Sequence, residues 1–171
     1  MVDGAQPAAR VARPRFNRWR WPRTTGRSGT GWRRPLLLLD ADVQVVPCAA
    51  LDVACALVPP AGALIVIGAV RLPLTMPLEA PPGEETASVA DLLQQVERQA
   101  GWRGVRVDGH LRRGRHVRAI LQAALVQYAV DVVVLHGTLA RMTTLATAAG
   151  SVQTVLVPPG EAAAPPPAPT Q

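Results

Sequence analysis

The sequence predicts an α/β fold, a five-stranded doubly wound parallel sheet of Rossmann-like type in the order βαβαβαβαβ. Two observations carry that prediction. Leu36–Leu39, Ala63–Val70 and Val132–Leu135 are short aliphatic runs without polar alternation. Strands that are apolar on both faces are buried on both faces, as in parallel sheets covered by helices. Between such runs the period changes to that of a helix. Ile120, Leu121, Ala124, Leu125 and Tyr128 fall at i, i+1, i+4, i+5 and i+8, while Arg118, Gln122 and Gln127 share the opposite, watered face. In such folds ligands sit where strands end and the next turn begins, so those turns are where function is sought.

The elements follow in order. Leu36–Leu39 is a first strand ending at Asp40. Pro47 opens a helix carrying Ala50, Leu51, Ala54, Leu57 and Val58, and Pro59-Pro60 stops it. Ala63–Val70 is the second strand. The segment RLPLTMPLEAPPGEE is too rich in proline to continue either regular structure. Thr86 or Ser88 is expected to cap the next helix, whose Val89, Leu92, Leu93, Val96 and Ala100 form one stripe, with Gly101 or Gly104 ending it. Val105 to Leu111 alternates apolar and polar residues, as a half-exposed edge strand does. Then come the Ile120–Tyr128 helix, the fourth strand closing at His136, a helix from about Leu139 to Ala149, and a last strand, Val152 to Val157.

A chain of 171 residues suits one domain with tails, and a hydrophobic fraction of 49% allows a real core. Charge divides the chain. Residues 1–34 hold nine arginines against Asp3 alone, a net +8; residues 35–171 hold nine arginines and eleven acids, a net −2. The basic arm, with Arg18-Trp19-Arg20-Trp21 at its centre, has no apolar periodicity and is expected to be disordered alone. Its chemistry suits weak contact with nucleic acid or an anionic membrane, unless it is a solvated leader without a partner. Arg33-Arg34 before Leu36–Leu39 has the look of a twin-arginine export signal, but Asp40 and Asp42 interrupt the apolar run too early. No apolar run approaches a membrane span, and residues 158–171 form a Pro/Ala-rich tail expected to be extended. Cys48 and Cys55, seven apart on one helix, stand about 10 Å apart, too far to bridge, which fits a reducing cytoplasm.

Over residues 35–157 this order of elements resembles the universal stress protein family. PLLLLDAD is similar to that family's first strand with its terminal aspartate, here Asp40, and PCAALDVACALV to its first helix. RLPLTMPLEAP is similar to the segment after the second strand, especially where such domains are attached to amino-acid permeases. GVRVDGHLRRGRHVRAILQAALVQYAVDVVVLHG carries the strongest likeness, from the third strand through the fourth. The resemblance implies an adenine-nucleotide fold with its ligand at the carboxyl ends of strands one and four. It also implies a phosphate loop of the form G-x2-G-x9-G-[ST] after strand four, cradling phosphate with backbone N–H groups. This chain offers Gly137, then Ala140 at the second glycine position, then Gly150 and Ser151. The spacing fits and the middle glycine is missing. A non-glycine residue forced to positive φ costs roughly 1–2 kcal/mol, which weakens phosphate binding without abolishing it.

Chain length weighs more. Parallel strands need a crossover of about a dozen residues, and residues 138–151 are the only ones available before the last strand. If LARMTTLATAA is that crossover helix, no phosphate loop remains and Gly150 becomes a helix cap. Two roles are open to Asp40: the ligand contact implied by the resemblance, or a turn residue capping the loop through Asp42 and Gln44. His136 is expected to satisfy a backbone carbonyl. His110 and His116 flank a basic turn with Arg112, Arg113 and Arg115, which would meet an anion or simply be solvated.

No nucleophile elbow, Cys–His pair or metal cluster appears in the chain. The expectation is therefore a non-enzymatic sensory or regulatory domain without a bound cofactor, with Asp40, Gly137, Gly150 and Ser151 as a vestigial nucleotide site. The rival expectations are residual ATP or AMP binding at those residues and a module whose activity belongs to the arm. Homodimerisation through the apolar last strand is expected, together with a protein partner such as a membrane transporter.

Overall fold

The computed structural model describes residues 34–40 and 42–159. The expected contacts of the basic arm and the extended Pro/Ala tail fall on residues 1–33 and 160–171, outside the described residues. Nine elements alternate as expected: β1 (Pro35–Asp40), α1 (Cys48–Ala56), β2 (Ala63–Arg71), α2 (Glu84–Trp102), β3 (Arg106–Gly114), α3 (Val117–Tyr128), β4 (Val132–His136), α4 (Leu139–Ala149) and β5 (Gln153–Val157). The strands form one parallel sheet in the order β3-β2-β1-β4-β5. The chain therefore leaves β1 toward β2 on one side and returns to β4 on the other.

The unalternating strands sit at the centre, as their composition demands. All of β1 is buried, and so are Val132 to Leu135 of β4. Their period of two divides the aliphatics between two cores. Leu37, Leu39, Leu64, Val66 and Val134 pack under α1 and α2 with Leu51, Leu92 and Val96. Leu36, Leu38, Ile65, Ile67, Val133 and Leu135 pack under α3 and α4 with Ile120, Leu121, Met142 and Leu145. In β2, a Cβ on Gly68 would come within 2.5 Å of Val89 Cγ1 and 3.0 Å of Leu93 Cδ1, so glycine lets α2 lie close on the sheet.

Some boundaries differ from expectation. Neither Thr86 nor Ser88 caps α2; its N-cap is Gly83, with Glu84 and Glu85 in the first turn to complement the helix dipole. Gly101 lies inside that helix, and Gly104, at φ 73°, closes it. There Gly104 N–H donates to Gly101 O at 2.9 Å and Val105 N–H to Ala100 O at 3.0 Å, a Schellman ending. The edge strand β3 continues to Gly114, so His110, Arg112 and Arg113 are strand residues rather than a turn. Pairing with the whole of β2, from Ala63↔Arg106 to Arg71↔Gly114, outweighs their polarity.

Candidate functional site

The switch point of this sheet is the crevice between the carboxyl ends of β1 and β4, where the chain departs in opposite directions. Asp40 ends β1 there. It is 5% exposed, the only charged residue buried among the described residues. A tight turn follows, with Val43 N–H donating to Asp40 O at 2.9 Å, and brings Asp42 up beside it. Arg141, the third residue of α4, reaches both carboxylates: Nη2 pairs with Asp40 Oδ2 and Nη1 with Asp42 Oδ2. One guanidinium thus ties the helix after β4 to the turn after β1. Burial draws the Arg141 pKa below its ordinary value, and it remains cationic, since guanidinium groups do not deprotonate in proteins.

Two carboxylates and one guanidinium leave this cluster at a net −1, a poor host for phosphate. The second carboxylate oxygen of Asp40, Oδ1, is buried without a hydrogen-bond partner. Asp40 does not cap the loop through Asp42 and Gln44: its carboxylate bonds to Arg141 of α4, and Asp42 shares that partner.

Of the four residues expected as a vestigial nucleotide site, Asp40 and Gly137 share one end of the sheet, and Gly150 and Ser151 do not join them. Gly137, at φ 144°, ends β4 beside Asp40's edge of the sheet, and α4 starts two residues later. Ala140 lies within α4, at none of the positive φ values found among non-glycine residues here. Gly150 is the C-cap of α4 at φ 64°, and Ser151 is exposed beyond it. An 11-residue helix rises about 16 Å, so Gly150 and Ser151 stand at the opposite, amino end of the strands. The crossover to β5 uses the whole segment.

The remaining candidates have structural partners. His136 Nδ1 lies 3.1 Å from Val157 O and ties the end of β4 to the end of β5. His110 stacks on Tyr128 with centroids 4.6 Å apart, and its Nε2 lies 3.1 Å from Asp108 Oδ1. The His110 imidazole beside it holds the Asp108 carboxyl below its usual range. Arg112 donates to Tyr128 OH at 2.8 Å, Arg113 to Ala80 O at 2.7 Å, and Arg115 to Leu74 O at 2.6 Å. The basic run on β3 is largely a set of braces. His116 is exposed at the N-cap of α3. Cys48 is exposed and Cys55 buried, both as free thiols, and burial pushes the Cys55 thiol up. Among the described residues no group of three or more His, Cys, Asp or Glu could hold a metal ion, and no helix is long and apolar enough to cross a membrane.

Reading the sequence missed Arg141. The signal was available: it is the one charged residue between Asp131 and Glu161, placed in the first turn after strand four.

No protein-family model matches the sequence, and no curated protein does. Among solved structures, the chain is similar to a protein of the universal stress protein family from Burkholderia pseudomallei, with a TM-score of 0.54 and 20% identity over 72% of this chain and 95% of that one. A universal stress protein in complex with cAMP is also similar, with a TM-score of 0.49 and 13% identity over 74% of this chain and 98% of that one. The domain has the α/β fold of the universal stress proteins.

Proposed function

We infer that this is a non-catalytic regulatory domain of the universal stress protein fold whose ligand crevice is closed from within, and which works by pairing with other proteins. The observation that carries the reading is Arg141 bridging Asp40 and Asp42 across the switch point. A nucleotide entering there must displace a half-buried, doubly paired guanidinium and bring phosphates to a cluster of net negative charge. It would also find a helix where a phosphate loop is required, because residues 139–149 already form the crossover. ATP or AMP binding is therefore not expected.

Pairing is assigned to the open edge of the sheet. β5 carries Gln153, Thr154, Val155, Leu156 and Val157 with no charge among them, and Leu156 is 39% exposed. Uncharged edges recruit further strands, and a two-fold pairing of β5 with its copy closes the edge. Protein partners such as a membrane transporter would then meet a dimer. The two free thiols agree with a reducing cytoplasm as its place of work.

A second reading, residual adenine-nucleotide binding, is favoured by Asp40 Oδ1, which is buried without a partner and would accept a hydrogen bond from a ligand. Thermal unfolding with and without millimolar ATP or AMP separates the two. A nucleotide present at 100 times its dissociation constant adds about 2.7 kcal/mol of stability, whereas the closed crevice predicts an unchanged melting temperature. A rise of several degrees would establish the second reading.

A further inference from the structure

The proline-rich segment between β2 and α2 is two consecutive turns. Met76 N–H donates to Pro73 O at 3.0 Å, and Ala80 N–H donates to Pro77 O at 3.1 Å. Leu74 and Leu78 therefore hold the same position, directly after the opening proline, in two turns four residues apart. Both are turned to water: Leu74 is 75% exposed, Leu78 50%, and Met76 between them 39%.

Slackness does not explain this exposure. The base of the loop is anchored by Leu72, buried with Val70 and Val89, its N–H bonded to Gly114 O at 2.9 Å. Each turn is also braced from the neighbouring strand end. Arg115 donates to Leu74 O at 2.6 Å and to Pro73 O at 3.3 Å, and Arg113 donates to Ala80 O at 2.7 Å. Proline fixes φ at the start of each turn, which lowers the entropy lost when the loop binds. A lone exposed leucine needs no explanation, but three apolar side chains within five residues on a braced loop do.

The surroundings are basic. Arg71 ends β2, Arg113 lies next to the end of β3, Arg115 follows, and Arg118 lies in the first turn of α3. Among the described residues none of these four is within ion-pair distance of a carboxylate. The partners found for Arg113 and Arg115 are backbone carbonyl oxygens, which leave the positive charge uncancelled. Glu79, Glu84 and Glu85, the acids of the loop and of the start of α2, are outnumbered four to three.

We propose that this corner docks on an anionic lipid bilayer, with Leu74, Met76 and Leu78 entering the boundary between headgroups and acyl chains and the arginines meeting lipid phosphates. Apolar tips above a basic base match that boundary, where apolar insertion and attraction to anionic headgroups act together. A protein partner is the weaker fit, because recognition by a helix or strand uses a groove or an open sheet edge, and this loop presents apexes.

The test is co-sedimentation of the full chain with vesicles of phosphatidylcholine alone and of phosphatidylcholine mixed with phosphatidylglycerol. The basic arm can also draw the chain to anionic lipid, so the deciding variant is L74S/L78S, which changes no charge. Removing two inserting leucines is expected to weaken partition to the mixed vesicles at least about tenfold, with unfolding unchanged. Wild-type protein is expected to prefer the mixed vesicles by a similar factor. If L74S/L78S does not fold, M76S/L78S gives the same reading. Partition equal to wild type, as when the arm alone binds or the loop serves a protein partner, overturns the proposal. Equal binding to both vesicle types overturns it as well.

Discussion

Asp40 is tolerated in the core edge because Arg141 meets it, and the pairing sets its value to stability. Removing one partner of a largely buried pair leaves an uncompensated charge and costs about 3–5 kcal/mol. Arg141 keeps 31% of its side chain exposed, so water relieves part of that penalty. We expect Arg141→Ala to lose about 2 kcal/mol in urea unfolding. Asp42→Ala, whose side chain is 64% exposed, should lose less than about 1 kcal/mol. Equal losses would mean that the exposed arm of the bridge matters as much as the buried one. A second titration belongs to Asp108. Its folded pKa is depressed by the adjacent His110 imidazole, so its contribution is present above the unfolded value and is lost as pH falls through the folded one. Asp108→Asn should therefore lower stability at neutral pH, leave it nearly unchanged in acid, and so flatten the fall between the two. Asp40 was legible as a strand-end carboxylate. Its partner was not, because the contact spans 101 positions in sequence and depends on how α4 leaves β4.

At the scale of elements, periodicity located nearly every helix and strand, since burial on one or both faces dictates the pattern that periodicity reads. α4 emerges as Leu139–Ala149, with Met142 and Leu145 buried beneath it. Chain ends were less legible because they rest on backbone geometry. Thr86 and Ser88 are good capping residues in isolation, yet two glutamates after Gly83 start α2 earlier. Ala129 carries no sequence signal but closes α3 in the left-handed region at φ 49° and ψ 56°. Alanine is strained there and glycine is not, so Ala129→Gly should stabilise the domain by about 0.5–1 kcal/mol, visible as a higher urea midpoint with unchanged slope. A lower midpoint would show that α3 gains more from alanine's restriction of the unfolded chain than it loses to strain. Gly68→Ala acts oppositely. The new methyl meets Val89 and Leu93, and overpacking of this kind costs about 1–3 kcal/mol.

For the molecule as a whole, the two sheet edges differ in charge. β3 presents Arg106, Asp108, His110, Arg112 and Arg113, while β5 presents none. Such an asymmetry directs self-association to β5, because charges along an edge discourage a second strand. Light scattering after size exclusion should report a dimer at micromolar concentration, and Leu156→Arg should convert it to monomer without unfolding it. A wild-type monomer would remove β5 from the account. The fold class was readable from the chain because a two-sided strand admits few architectures. The crevice was half readable: counting residues 138–151 foretold the crossover helix, but no count could foretell that the helix would return an arginine to Asp40.

The closed crevice is tested most directly by titrating isotopically labelled protein with millimolar magnesium-ATP and following the backbone amides of Asp40, Gly137 and Arg141. The account predicts that these signals stay in place throughout the titration. Saturable, concerted shifts at all three would show that nucleotide enters between β1 and β4 and displaces the guanidinium, and would contradict it.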